Sequence, residues 1–293
     1  MDVQDYVYKL NTGREFPMVG FGTYKIKGKN LIYSVIDAAL KAGYKSIDTA
    51  AVYGNEEDIG LALKDLLPKY NLKREDIFIT TKLAPSDFGR ERAVKAVEKS
   101  LKNLGVDYID LYLIHWPGVS SVPVDSSVHR KERFETWETL TNLYHTGCLR
   151  AIGVSNYTVR HLAELLDKDN IVKPAVNQVE LHPYFRQEQL RTACEKAGIL
   201  VQAYCSLGGS AGANHLLNDS TVVEVAQRLG RTPAQVLLRW ALQLNAAVIP
   251  KSVNPDRIAS NIALNFELLP KDMELLNSLK TVKKFAWDPE IVA

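Results

Sequence analysis

The sequence predicts an α/β protein built as a single (β/α)8 barrel, and three observations predict it. The chain has 293 residues, an ordinary length for that architecture in one domain. Eight short β-rich runs alternate with amphipathic stretches, the pattern of repeated βα units. Several of the intervening helices end in a glycine just ahead of the next run, where a left-handed C-cap favours a residue without Cβ.

The runs are MVGFGT (18–23), YKSIDTA (44–50), IFITTK (77–82), YIDLYLIH (108–115), LRAIGVSN (149–156), AVNQVEL (175–181), ILVQAYCS (199–206) and AAVIPKS (246–252). They are nearly continuous in apolar residues, as strands buried on both faces should be. Val94, Val97, Leu101 and Leu104 share one helical face after the third run. Phe134, Trp137, Leu140 and Tyr144 share one after the fourth. The glycines that end helices are Gly43, Gly105, Gly147 and Gly198. The leading YVYKLNTGREF reads as a small hairpin over the barrel bottom. No linker or low-complexity stretch interrupts the chain, so residues 1–293 are expected to form one domain. No GxGxxG follows the first run, and the glycine-rich LGGSAG (207–212) comes only after the seventh. A Rossmann domain is therefore not expected.

Composition narrows the function. Hydrophobic residues make up 46% and charged residues 24%, the balance of a soluble enzyme. A formal net charge of +2, with Lys and Arg scattered, argues against nucleic-acid partners and anionic membranes. Cys148, Cys194 and Cys205 form no CxxC, which points to free thiols in a reducing compartment. MDVQDYVYKL lacks the pattern of a signal peptide, and cytoplasm is the expected location. The histidines show no HxxH or HExxH spacing, so no metal site is expected. No exposed apolar stripe stands out, and a monomer is expected.

In such a barrel, chemistry gathers at the C-terminal ends of the strands. Those ends carry Asp48, Lys82, His115, Ser155, Asn156, Gln178, Glu180, Tyr204, Ser206, Lys251 and Ser252, with Tyr53 five residues beyond Asp48. Taken singly, a lone Lys there is usually a solvated charge and a lone Asp a helix cap. Together, several ionisable residues converge on one face. A tyrosine phenol titrates near about 10, too high for acid–base work at neutral pH. A nearby ammonium is expected to lower that value, a carboxylate to hold the ammonium in place, and a histidine to orient a carbonyl. Tyr53, Lys82, Asp48 and His115 supply these parts.

At these residues the sequence resembles the aldo-keto reductase family over almost its whole length. The resemblance rests on GFGTY (20–24), IDTAAVYGNEEDIG (47–60), DIFITTKL (76–83), DYIDLYLIHWP (107–117), IGVSNY (152–157), NQVELHPY (177–184) and IPKSVNPDRI (249–258). It implies a barrel that binds NADPH in an extended pose and transfers hydride to an aldehyde or ketone. The implied catalytic set is Asp48, Tyr53, Lys82 and His115. Ser155, Asn156 and Gln178 would hold the nicotinamide carboxamide, and Tyr204 would stack on its ring. Lys251, Ser252 and Arg257 would hold the 2′-phosphate, favouring NADPH over NADH. Gly22, Thr23, Tyr24 and Asp48, then Ser206, Leu207 and Gly208, then Val253, Asn254 and Asn261 would complete the cofactor site. Tyr24, Tyr53, His115 and Trp116 would face a small carbonyl substrate, beside the loop 117–133.

The sequence departs from the family pattern in three places. Ser260 stands before Asn261 where Glu or Gln is common, so adenine contacts from Ser260 are not expected. Ala84 replaces a large aromatic two residues after Lys82 and should widen the pocket. The loop at 208–218 is short and glycine-rich, so it is expected to cover the pyrophosphate only partly and to allow fast cofactor release. Two readings stand for Phe285 and Trp287: they reach back over the pocket mouth, or they pack as an ordinary tail. Cys205 reads as a packing cysteine sooner than a redox-sensitive one, and His182 as structural. The rival functions are a Schiff-base enzyme using Lys82, a low-turnover NADPH-binding sensor or regulatory subunit, and a structural lens-type protein.

Overall fold

A computed structural model describes residues 6–167, 172–209 and 213–293. Two short strands, β1 (Val7–Lys9) and β2 (Glu15–Pro17), pair antiparallel, with Tyr8 opposite Phe16. Eight further strands form one sheet in sequential order: β3 (Phe21–Gly22), β4 (Ser46–Asp48), β5 (Phe78–Leu83), β6 (Leu111–Ile114), β7 (Ile152–Ser155), β8 (Val176–Glu180), β9 (Leu200–Tyr204) and β10 (Ala247–Val248). Every neighbouring pair in it is parallel. A parallel bridge between Val19 and Val248 joins the two ends. Val248 donates to Met18 O and Gly20 donates to Val248 O, each at 2.8 Å. The sheet is thus a closed (β/α)8 barrel with no free edge, and each of the eight runs is one of its strands.

The strands stop short of the apolar runs for local reasons. Pro250 has no N–H to donate, and only its carbonyl remains, accepting from Gly22 at 3.1 Å. Asn156 (φ 63°) and Cys205 (φ 52°) take left-handed backbone, which turns the chain off the sheet after Ser155 and Tyr204. Both turns lie at the strand ends that carry the polar residues.

The helices between the strands include α1 (Lys29–Lys41), α2 (Glu56–Lys69), α3 (Arg90–Leu104), α4 (Val128–Thr146), α5 (Val159–Leu166) and α6 (Glu188–Ala197). After β9 come α7 (Ala213–Leu217), α8 (Ser220–Leu229) and α9 (Pro233–Gln243), and after β10 come α10 (Pro255–Ile262) and α11 (Pro270–Asn277). Each expected stripe turns inward. Val97, Leu104, Trp137 and Leu140 are buried, while Val94, Leu101, Phe134 and Tyr144 are half-buried. Gly43, Gly105, Gly147 and Gly198 all have positive φ. The β1–β2 hairpin covers the barrel bottom. Phe16 packs edge-on against Phe78 at the start of β5, 4.9 Å between centroids, and Asn11 donates to Pro174 O ahead of β8.

Candidate active site

The mouth is built from the ends of β4 and β5. Asp48 closes β4 and Lys82 lies in β5, so the two strands set them side by side. Lys82 is fully buried and donates to Asp48 Oδ1 and to Thr49 O, both at 2.7 Å. Gln178, on β8, donates to Asp48 Oδ2 at 2.7 Å and to Gln202 Oε1 at 2.8 Å. β4 and β8 lie four strands apart in an eight-stranded ring, so this bond crosses the barrel interior. Gln202 is a residue that sequence reasoning missed. A glutamine inside the apolar run ILVQAY was the signal for it, because a buried amide needs partners.

Beyond Asp48 the chain makes a 3-10 turn over Ala51–Tyr53. It is tied by Asn55, a second residue not singled out from the sequence. Asn55 Oδ1 accepts from Thr49 Oγ1 at 2.6 Å, and its Nδ2 donates to Thr23 O and Ile26 O. This staple holds the loop after β3 against the loop after β4, and Tyr24 meets Tyr53 at 5.1 Å between centroids. The Lys82 ammonium lies 5.1 Å from the Tyr53 ring centre, and His115 packs edge-on to that ring at 5.7 Å. Tyr24, Tyr53, His115 and Trp116 thus form a continuous line of rings, with Trp116 stacked on His115 at 6.4 Å.

The electrostatics depart from expectation at Tyr53. Burial, then the negative charge of Asp48, then Tyr24 and Cys205 push its phenol well above 10. These effects outweigh the lowering expected from the Lys82 ammonium. At neutral pH Tyr53 is therefore a protonated, neutral phenol. Burial lowers Lys82 and Asp48 opposes that fall. Burial, with Lys82 adding to it, holds His115 well below 6.5 as neutral imidazole. Cys205 is pushed up to about 12 by burial and by Glu180, which makes it a protonated, unreactive thiol.

The other expected residues line the same mouth. Tyr204 Oη donates to Asn156 Oδ1 at 2.6 Å. Asn156 Nδ2 donates to His115 O and to Ser155 Oγ, and Ser155 Oγ donates to Gln178 O. Thr23 donates to Asp48 O through both its N–H and its hydroxyl. A Cβ on Gly22 would lie 2.7 Å from Ile249 O, so only glycine fits where the barrel closes. Ser206 is buried, and Leu207 and Gly208 are half-buried. Ser210, Ala211 and Gly212 of the glycine-rich loop lie outside the described residues.

At the rim, Lys251, Val253, Asn254 and Arg257 are exposed, while Ser252 and Asn261 are buried. Asn254 Oδ1 caps α10 by accepting from Arg257 N at 3.0 Å. Ser260 is occupied through its carbonyl, which accepts from Gln235.

These residues fit a nicotinamide dinucleotide. Both amide hydrogens of Gln178 are taken, which leaves its carbonyl oxygen as an acceptor. Tyr204 offers a ring whose hydroxyl is already anchored. His115 Nδ1 is buried with no partner. Two exposed cations, Lys251 just ahead of α10 and Arg257 in its first turn, flank a helix N-terminus in the chain, a setting suited to phosphate. Among the described residues, no group of three or more His, Cys, Asp or Glu could hold a metal ion.

The tail crosses this mouth. Trp287 packs edge-on against Trp116, 5.0 Å between centroids, and Phe285 packs on His182 at 4.9 Å. Of the two readings for these aromatics, the first holds for Trp287.

Comparison with known proteins agrees with this geometry. A family model described as "Aldo/keto reductase family" matches residues 18–281. Glyoxal reductase of Bacillus subtilis is 41% identical over 284 residues, covering 96% of this chain and 95% of that protein. An aldo-keto reductase from a Medee basin deep-sea metagenome library superposes with a TM-score of 0.87 at 39% identity, covering 96% of this chain and 97% of that one. The aldo-keto reductase of Bombyx mori, solved in complex with NADP, gives a TM-score of 0.85 at 33% identity, covering 93% and 92%.

Proposed function

Because the chain belongs to the aldo/keto reductase family, we propose that it reduces aldehydes and ketones to alcohols with NADPH, Tyr53 being the general acid. The observation that carries this reading is the buried Asp48–Lys82 pair beside the neutral Tyr53 phenol. NADPH, when bound, supplies the hydride. Ser155, Asn156 and Gln178 would hold its carboxamide, Tyr204 its ring, and Lys251, Ser252 and Arg257 its 2′-phosphate.

Tyr53 donates its hydroxyl proton to the carbonyl oxygen as negative charge develops there. The Lys82 ammonium, 5.1 Å from the ring centre, stabilises the phenolate that forms. Asp48 keeps that ammonium charged and in place. Neutral His115 hydrogen-bonds the carbonyl and orients it. Two of the three ammonium hydrogens of Lys82 are engaged, which disfavours a Schiff-base role. The aromatic line Tyr24–Trp116 favours medium-sized apolar carbonyls and small α-dicarbonyls, the latter in keeping with the glyoxal reductase relative. The same reading takes residues 1–293 as one domain, a cytoplasmic monomer. No helix among the described residues is long and apolar enough to cross a membrane.

The test follows NADPH absorbance with aldehydes, α-dicarbonyls and ketones. Tyr53→Phe should lower kcat by about 10²–10⁴-fold while NADPH still binds. Tight NADPH binding without turnover in the wild type would favour a sensor or regulatory subunit instead.

A further inference from the structure

We propose that Glu180 is a positioning residue for the substrate side of the pocket, holding the tail at residues 285–286 and so setting Trp287 against Trp116. The inference rests on the carbonyl-reductase reading above. Glu180 ends β8 and is 1% exposed. A carboxylate so deeply buried needs donors, and it finds them on the tail. Its Oε1 accepts from Phe285 N at 2.6 Å and its Oε2 from Ala286 N at 2.8 Å. His182 Nε2 lies 2.9 Å from the same Oε1, and the His182 ring also supports the Phe285 ring. Burial works to raise the Glu180 carboxyl, but His182 and the two amides outweigh it and hold it below the usual carboxylate range.

The tail is held again further on. Arg133, itself buried, donates to Ala293 O at 2.7 Å. Val292 O is shared by Arg160 and by His161 Nε2. Trp287 sits between these anchors, 44% exposed, with its ring on Trp116. One solvent-exposed ring contact does not fix a tail, so the position of Trp287 is inherited from the anchors. The nearer anchor is Glu180, because the amides it holds belong to Phe285 and Ala286, two residues and one residue before Trp287. Trp287 then forms the outer wall that a bulky substrate meets beyond His115 and Trp116, and that the smallest substrates never reach.

The experiment compares wild type, Glu180→Gln, Ala286→Pro and Trp287→Ala, using glyoxal, benzaldehyde and naphthaldehyde with NADPH. Gln keeps the size of Glu but turns an NH2 group toward one of the two amides. Ala286→Pro removes one donor from the tail side and leaves the barrel untouched, which covers the case of a Glu180 variant that does not fold. In both, KM for the aromatic aldehydes should rise about tenfold, with kcat, NADPH affinity and glyoxal kinetics within about twofold. Trypsin cleavage after Lys283 and Lys284 should accelerate about tenfold. Trp287→Ala should reproduce the change in selectivity without the change in cleavage. The proposal is overturned if the tail stays as protected as in wild type, if all substrates lose equally, or if only Trp287→Ala shifts selectivity. A wild type that reduces no carbonyl would sink the reductase reading, and the trypsin rates alone would then decide whether Glu180 holds the tail.

Discussion

At the centre of the barrel mouth, Asp48, Lys82 and Gln178 are bound to one another and shut away from water. At its rim, Lys251 and Arg257 stand in solvent. The centre holds its charges in place before any ligand arrives, so little reorganisation is needed when charge moves. The rim leaves its cations hydrated, and on the proposed reading a phosphate replaces that water. The difference teaches that one mouth carries two kinds of electrostatics, one expensive to disturb and one cheap.

The largest effect that would sharpen this contrast is Asp48→Asn. It strands the fully buried Lys82 charge, and should cost about 3–5 kcal/mol in urea unfolding as well as most of the turnover. A loss no greater than that of a rim substitution would erase the contrast.

The next is a matter of pH. His161, buried on α5, sits at about 4, through burial first and Arg133 second. Thr158 N lies 3.3 Å from its Nδ1 and Val292 O 3.1 Å from its Nε2, the partners of a neutral ring. Its value is about 6.5 in the unfolded chain. The stability it contributes is fully present above 6.5 and is lost as pH falls from there toward 4, by at most about 3 kcal/mol. Urea midpoints at pH 7 and 4.5 measure it, and His161→Gln should flatten the difference.

Arg257→Ala should be smaller for the fold and specific for the ligand. NADPH should weaken by about 1.5–3 kcal/mol, NADH should hardly change, and the unfolding midpoint should stay within about 0.5 kcal/mol of wild type. Equal weakening of both cofactors, read by titration, would sink the phosphate assignment. Smallest of all, raising salt from 50 mM to 0.5 M should weaken NADPH severalfold through screening of the exposed cations, with NADH much less affected.

The barrel was legible because eight buried strands leave eight apolar runs, and because helix ends need glycine at positions such as Gly105 and Gly147. The residues at strand ends were legible because charge there is conspicuous against apolar neighbours. What was hidden has a common cause. Asn55 reaches back to Thr23, Gln202 supports a residue on the neighbouring strand, and Glu180 meets amides 105 and 106 residues away. Each partnership joins residues far apart in the sequence, and those of Asn55 and Glu180 are with backbone groups, which have no letter of their own, so none of them leaves a motif. The Tyr53 shift runs opposite to the expectation for a related reason. Proximity of an ammonium was readable, but the burial of the ring and the closeness of the Asp48 charge to it were properties of the assembled mouth.

The seam between Val19 and Val248 has a bearing on how the protein is made. Those residues are 229 positions apart, and at about 5–20 residues per second the ribosome needs tens of seconds to pass from one to the other. Throughout that interval the first barrel strand has no partner on one side, and the nascent chain presents a raw strand edge of the kind that recruits other chains. Synthesis of this protein should therefore lean on chaperones until its last strand emerges, and overexpression should be limited by aggregation of chains that stop before Val248.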